Sequence, residues 1–422
     1  MTDPSANAPL FPDLDDAVAP RDDAPTRAGG VARLDAFVPR AAKSYASRRN
    51  YDLGPGRHGY VSTLSPWVRH RLISEEEVLR ATLARHAPSA AEKFVHEVFW
   101  RGYFKGWLEQ RPSVWQDYRS DLEDLFADLG DDGEFAVDYN AAITGRTGID
   151  AFDHWAAELV ETGYLHNHAR MWFASIWIFT LGLPWQLGAD FFLRHLMDGD
   201  PASNTLSWRW VAGLHTKGKA YQARAANIAK YTEGRFRPLH ALASQIVPLD
   251  EAVEHEKHPL PLAGRVPDRP FVLLITEEDC SPDTWLNAAP VAAISLGATA
   301  RRSPAAIGKK AQDFAAAALE DAVARVAQTH NVPALMGTGD WGKAMTDAAR
   351  RAGVRDIVTP YPPVGPVAEE LHKAARQLEE AGIDLHRVRR RYDTLVWPHA
   401  SRGFFALKKK IPLILSDLGL SR

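Results

Sequence analysis

Asp198-Gly-Asp-Pro-Ala-Ser-Asn-Thr-Leu-Ser-Trp-Arg-Trp210 is the stretch on which the reading of the first half of the chain turns. A helix running from Ala202 sets Asn204 and Trp208 four residues apart, on one face. A side-chain amide and an indole then approach the same partner. Just upstream, Tyr164-Leu-His-Asn-His-Ala-Arg-Met171 places Asn167 and Arg170 at i and i+3, again on one face. Arg170 is a natural ion-pair partner for Asp198 or Asp200. The plain alternative for all of these residues is a buried salt bridge among core tryptophans.

Outward from this stretch the pattern stays helical, from about residue 35 to 240. Ser74-Glu-Glu-Glu77 is a capping box with Ser74 as the N-cap. Glu92–Gln110 and Trp155–Thr162 carry apolar residues at spacings of three and four. Ser65-Pro66 reads as an N-cap followed by proline at the first helical position. With Ser62 and Thr63, Ser65 offers hydroxyls beside free helix N–H groups, a setting that favours an anion. Ten of the 13 tryptophans lie between Trp67 and Trp210, which points either to an aromatic-lined site or to a bulky helical core.

Residues 1–30 are rich in Ala, Pro and Asp without periodicity and are expected to be a disordered tail. A helical domain over 31–240 is followed by a proline-rich linker over 241–269. Short apolar runs then alternate with helical stretches: Phe271–Ile275, Val291–Ser295, 305–329, Pro333–Met336, 343–352, Asp356–Thr359 and 367–381. That alternation predicts a doubly wound, Rossmann-like parallel-sheet domain over 270–422. The fold class is therefore multidomain, all-helical followed by α/β. Gly337-Thr-Gly-Asp-Trp-Gly342 fits a dinucleotide GxGxxG pattern, a weak signal by itself.

Composition bounds the rest. A chain of 422 residues, 45% hydrophobic and 24% charged, is an ordinary globular length and balance for two or three domains. It has no apolar run near the ~20 residues of a membrane span and no signal-peptide pattern, so no membrane partner is expected. With one cysteine, Cys280, it has no intramolecular disulfide and no four-cysteine metal site. A cytoplasmic monomer without a metal is expected. The net charge of −3 leaves nucleic-acid binding to a local patch, and Arg209–Arg237 supplies one, with seven basic residues against Glu233.

Residues from Tyr45 to Trp210 resemble the flavin-binding domain of the DNA photolyase/cryptochrome family. The resemblance is carried by Tyr45…Arg49-Asn50, Ser62-Thr-Leu-Ser-Pro66, Glu97-Val-Phe-Trp-Arg101, Thr147-Gly148, Gly163–Asn167, Arg170-Met171, Asp198-Gly-Asp200 and Asn204…Trp208-Arg-Trp210. These stand in the family's order and near its spacing. The resemblance implies an FAD cofactor contacted by Tyr45, Ser62, Thr63, Leu64, Ser65, Asn167, Arg170, Asp198, Asp200 and Asn204. The hydroxyl stretch would bind its phosphates, with Val61 in place of the usual opening threonine. Asn204 would face the flavin N5, and the Arg170–Asp198 pair would lie beside the ring. Glu97, Trp100 and Met171 would line a pocket for damaged pyrimidines, so Glu97, Trp100, Asn204, Arg170 and Met171 are the expected catalytic set. Trp208 and Trp185 match the inner members of a tryptophan electron chain. Its outer position falls on Asp132, for which Trp155 or Tyr139 would substitute. Damaged DNA would be contacted by Glu97, Trp100, Arg101, Asn167, His168 (where the family has arginine), Lys217 and Lys219.

The C-terminal third resembles the family's antenna domain, which in the family precedes the flavin domain. Phe271–Ile275 is similar to its first strand, Leu335–Asp340 to its Gly-Asp turn, and Arg391–Trp397 with Gly403-Phe-Phe-Ala-Leu407 to its closing segment. The order implies circular permutation, and a second antenna chromophore of folate or deazaflavin type is left open. The resemblance implies light-driven repair of cyclobutane pyrimidine dimers, with a photosensory flavoprotein lacking repair as the alternative.

Overall fold

The structure, a computed structural model, describes residues 24–130, 133–238 and 241–421. The first half is helical: α1 (Arg27–Phe37), α2 (Lys43–Arg48), α3 (Ser65–Arg69), α4 (Glu75–Arg85), α5 (Glu92–Glu109), α6 (Ser113–Asp128), α7 (Glu134–Ile143), α8 (Asp150–Thr162), α9 (Asn167–Phe179), α10 (Trp185–His195), α11 (Pro201–Ala212) and α12 (Ala225–Tyr231). Local signals start these helices. Ser74 accepts from Glu77 N–H while the Glu77 carboxylate accepts from Ser74 N–H, completing the expected capping box on α4. The disordered tail expected over 1–30 is corrected at its end: Thr26 accepts from Gly29 N–H and caps α1, so helix begins at Arg27. Residues 1–23 of that expected tail lie outside the described residues.

The second half follows the alternation: β1 (Phe271–Ile275), β2 (Ala292–Ser295), α13 (Lys309–His330), β3 (Ala334–Met336), α14 (Trp341–Ala352), β4 (Asp356–Pro360), α15 (Pro366–Glu380), β5 (Asp384–Val388), α16 (Arg391–Val396), α17 (Phe404–Lys408) and α18 (Ile411–Asp417). The five strands are all parallel in the order β3-β2-β1-β4-β5. Strand β1 is central and buried throughout, which is why it reads as a continuous apolar run. Phe271, Leu273 and Ile275 face α13 and the helical half, while Val272 and Leu274 face the cluster formed by α14 and α15. The period of two sends alternate residues to the two faces.

The last three helices leave the sheet. Tyr392, Val396, Trp397, Phe404 and Leu407 join a core with Leu79 and Leu83 of α4 and Val95, Phe99 and Tyr103 of α5. Two glycines of α5 allow the approach. A Cβ at Gly106 would stand 2.7 Å from Trp397 Cα, and one at Gly102 would stand 3.0 Å from Tyr392 Oη. Residues 241–270 form no helix or strand and wrap the molecule: Leu249 N–H donates to Ala212, His258 N–H to Gln110 and Gly264 N–H to Arg387. Among the described residues no helix is long and apolar enough to cross a membrane.

Candidate functional site

The turn Asp198–Asp200 sets up the start of α11. Asp200 is buried and caps that helix, its Oδ1 accepting from Ser203 N–H at 2.9 Å and Ser203 Oγ at 2.9 Å. Its Oδ2 faces three cations: Arg101 at 3.1 Å, Lys105 at 3.4 Å and Arg69 at 3.9 Å. Burial alone would raise the Asp200 pKa; Lys105, Arg101 and Arg69 outweigh it and hold the carboxyl well below its usual range. Asp198 pairs with Arg170 at 2.9 Å, as its sequence position suggested. One turn into α11, Asn204 donates its Nδ2–H to the Ala189 carbonyl at 2.8 Å. That bond fixes the amide's orientation and leaves Oδ1 as the group available to a ligand.

The Ser62–Ser65 stretch forms a second wall. Thr63 takes a left-handed backbone at φ 49°, uncommon for a β-branched residue. This turn brings the chain into α3 one residue early, so Ser65 is the helix's first residue rather than its cap, and Leu64 precedes it without a side-chain cap bond. Leu64 itself is buried in the core. Ser62 and Thr63 are half-buried, and the Thr63 hydroxyl accepts from Arg33. Arg33 also lies over the Trp67 ring at 4.6 Å. Sequence reasoning missed this cation, which arrives from α1, thirty residues away. Arg69 Nε donates to Gly199 O at 2.8 Å and so ties this wall to the Asp198–Asp200 turn.

Tyr45 is buried edge-on against Phe37 and Phe94, with Arg49 over its ring at 5.9 Å. Burial, with the Glu97 charge nearby, pushes its phenol well above the ordinary range. Arg49 also forms an ion pair with Glu97. Glu97 and Arg101, four residues apart on α5, do not pair with each other. Arg101 turns inward to Glu75 at 3.0 Å and to Asp200, so its expected place among the DNA contacts is corrected. Trp100, half-buried, stacks on Phe404 with ring centroids 3.8 Å apart and planes at 10°. His168 lies against Trp172 and Tyr231, and burial next to Arg49 lowers its pKa to about 4. Met171 is half-buried, whereas Asn167 is exposed at the start of α9.

Trp208 is buried beside Phe192 at 5.1 Å and Trp177 at 6.2 Å. Gly188 makes room for it: a Cβ there would fall 2.3 Å from the indole. Trp185 instead stacks on Tyr118 at 5.6 Å, and Tyr118 lies 5.3 Å from Trp115. Of the two expected substitutes for the outer electron carrier, Tyr139 touches Trp177 at 6.2 Å, whereas Trp155 stacks on Trp172 at 5.5 Å. Asp132 lies outside the described residues. In the basic stretch, Lys217 and Lys219 are exposed, but Arg209 is buried against Glu251 and Arg235 pairs with Asp52, so the patch is smaller than its composition suggests. In the GxGxxG segment, Asp340 accepts from Lys343 N–H and puts a carboxylate at the start of α14, where a dinucleotide would need its phosphates.

Among the side-chain polar atoms buried without a hydrogen-bond partner are Asp198 Oδ1, Asp200 Oδ2, His166 Nε2 and Trp208 Nε1. An unpartnered carboxylate oxygen on Asp198, beside Arg170 and just before the start of α11, fits a polar ligand at that helix. Residues 94–252 match the family model described as the FAD binding domain of DNA photolyase. That segment belongs to the FAD-binding domain family of DNA photolyases. The chain is 33% identical over 192 residues to a deoxyribodipyrimidine photo-lyase of Agrobacterium fabrum, covering 45% of this chain and 38% of that protein. It is 31% identical over 247 residues to the Synechococcus deoxyribodipyrimidine photo-lyase, covering 53% and 49%. To a cryptochrome DASH of Gloeobacter violaceus it is 29% identical over 259 residues, covering 59% and 47%. The chain thus spans less than half the length of these relatives. Among solved structures, a class III photolyase from Agrobacterium tumefaciens superposes with a TM-score of 0.42 at 28% identity, covering 49% of this chain and 43% of that one. A photolyase/cryptochrome-type flavoprotein with a helical FAD-binding domain followed by a parallel-sheet domain is the architecture of this chain.

Proposed function

We propose that this flavoprotein splits cyclobutane pyrimidine dimers in DNA under light. FAD, when bound, supplies light-driven single-electron transfer. The observation that carries the reading is the division of labour along α5. Glu97 and Trp100 are half-buried and lie three residues apart on α5. Arg101, next in sequence, reaches the Asp200 cluster at the start of α11. One helix thus joins the cofactor enclosure to a carboxylate–indole pair suited to a planar base.

The remaining assignments follow the enclosure. Ser62, Thr63 and Arg33 would hold the FAD diphosphate, hydroxyl donors and a cation meeting an anion. Asn204 Oδ1 would accept from the flavin N5–H, and the Arg170–Asp198 pair would lie beside the ring with Asp200 steadying α11. Tyr45 and His168, neutral at pH 7, would close the cavity. Trp208 would pass electrons inward, with Trp185 on one branch and Trp177 and Tyr139 on another. Lys217 and Lys219 would contact DNA phosphates. We take the parallel-sheet domain as the family's antenna domain moved behind the flavin domain, with boundaries near 31–240 and 270–422, and a folate- or deazaflavin-type chromophore as its ligand.

The second reading is a photosensor without repair. Its support is specific: Phe404 occupies the outer face of Trp100. The deciding experiment illuminates FAD-loaded, reduced protein with an oligonucleotide carrying one thymine dimer and measures dimer loss. Loss that requires light supports repair. Photoreduction of the flavin with no dimer loss moves the assignment to sensing.

A further inference from the structure

The C-terminal segment that covers Trp100 has a composition of its own. From Thr394 to Ser416 there is no acidic residue, and Arg402, Lys408, Lys409 and Lys410 fall within nine positions. Arg402, Lys409 and Lys410 are exposed and have no ion pair among the described residues. Between them Phe405 is 79% exposed, an unusual place for a phenylalanine. Its neighbour Phe404 is buried against Trp100, Tyr103 and His96, and its 3.8 Å, nearly parallel stack on Trp100 covers the ring face that a base would otherwise use. Tyr103 stands edge-on to Trp100 at 5.3 Å and to Phe404 at 5.7 Å, and Phe104 lies 5.3 Å from Trp100.

The segment's polar ties are few and peripheral. Arg111 donates to Ser401 O at 3.2 Å, and Lys408 pairs with Glu92 at 3.2 Å with both side chains well exposed. Leu407 anchors α17, a helix of five residues. Phe404 and Leu407 hold its inner side in the α4–α5 core, while its outer side, with Phe405 and Ala406, is solvent-exposed. We propose that Arg402–Lys410 is a nucleic-acid contact surface in which Phe404 holds the outer face of Trp100 until an unstacked base displaces it. The proposal rests on the reading of Trp100 as the substrate platform. Exposed cations beside aromatic rings are what single-stranded or flipped nucleotides require, the cations for phosphate and the rings for bases.

The test uses FAD-loaded full-length protein in the dark. Binding of a fluorescent single-stranded thymine oligonucleotide, with and without one cyclobutane dimer, is followed by anisotropy across a salt series. K409E/K410E lowers affinity for both oligonucleotides alike and reduces the salt slope by about 1.4. Phe404→Ala tightens binding of the dimer oligonucleotide by about three- to tenfold, the weight of one aromatic stack. Hydrogen exchange on the unsubstituted protein avoids any folding defect of that variant: amides of 403–408 exchange faster when the dimer oligonucleotide is bound. Unchanged binding by K409E/K410E, or slower exchange over 403–408 on binding, overturns the proposal. If the parent protein binds and repairs while either of those results is found, repair stands and the plug falls. If parent and Phe404→Ala neither bind nor repair, both fall.

Discussion

Asp200 carries two loads, and two substitutions separate them. Asp200→Asn keeps an acceptor for Ser203 N–H, since asparagine caps helices about as well as aspartate. It removes the negative charge that Arg101, Lys105 and Arg69 share at 3.1, 3.4 and 3.9 Å. Breaking a buried ion cluster from one side leaves unpaired charge and costs about 3–5 kcal/mol. Asp200→Ala loses the cap as well, a further ~1 kcal/mol. Against a total stability of about 5–15 kcal/mol, both variants are severely weakened. Because the folded-state pKa of Asp200 is depressed, its contribution is fully present above the unfolded value of about 3.9 and is lost only as pH falls through the lower folded value. Urea unfolding at pH 7 reads the magnitudes, and FAD affinity reads the consequence for Asn204 one turn along. If Asp200→Asn cost less than about 1 kcal/mol while Asp200→Ala cost its full cap penalty, the cage would be energetically silent and this reasoning wrong.

Glu97→Ala should leave FAD stoichiometry intact and lower dimer repair about tenfold or more, the weight of one hydrogen bond to a charged group; loss of bound FAD would show that the Arg49–Glu97 pair belongs to the cofactor enclosure instead. Trp208→Phe should slow flavin photoreduction under blue light with an external reductant, yet spare repair by chemically reduced protein; equal photoreduction rates would remove Trp208 from the electron path. Burial lowers the pKa of His166 to about 3 and of His168 and His215 to about 4. Their folded values lie below the unfolded one, so stability is full above about pH 6.5 and declines as pH falls towards those folded values, each histidine adding about 1.4 kcal/mol per pH unit at most. Urea midpoints from pH 7 to 5 should show the decline, and His168→Gln should flatten it; a profile without slope would contradict neutral burial of these rings.

What the sequence by itself determined is local. The Ser74–Glu77 capping box, the α5 and α11 faces, the apolar β1 run and the Arg170–Asp198 pair were legible because a few residues of fixed spacing, or one motif, specify each. Strand β5 was missed because it is an edge strand, exposed or half-buried throughout, with no apolar run to mark it. The tertiary structure alone decided which charges meet. Arg69 finds Glu278, 209 residues away, and Arg71 finds Asp393, 322 residues away. Arg33 reaches Thr63, Arg49 takes Glu97, and Arg101 turns to Asp200 in place of its helix neighbour. Phe404 settles on Trp100 because Gly102 and Gly106 let the C-terminal helices close on α5. Helical spacing states which residues share a face; only packing of distant segments, driven by apolar burial and by the cost of leaving a charge unpaired, states what that face meets.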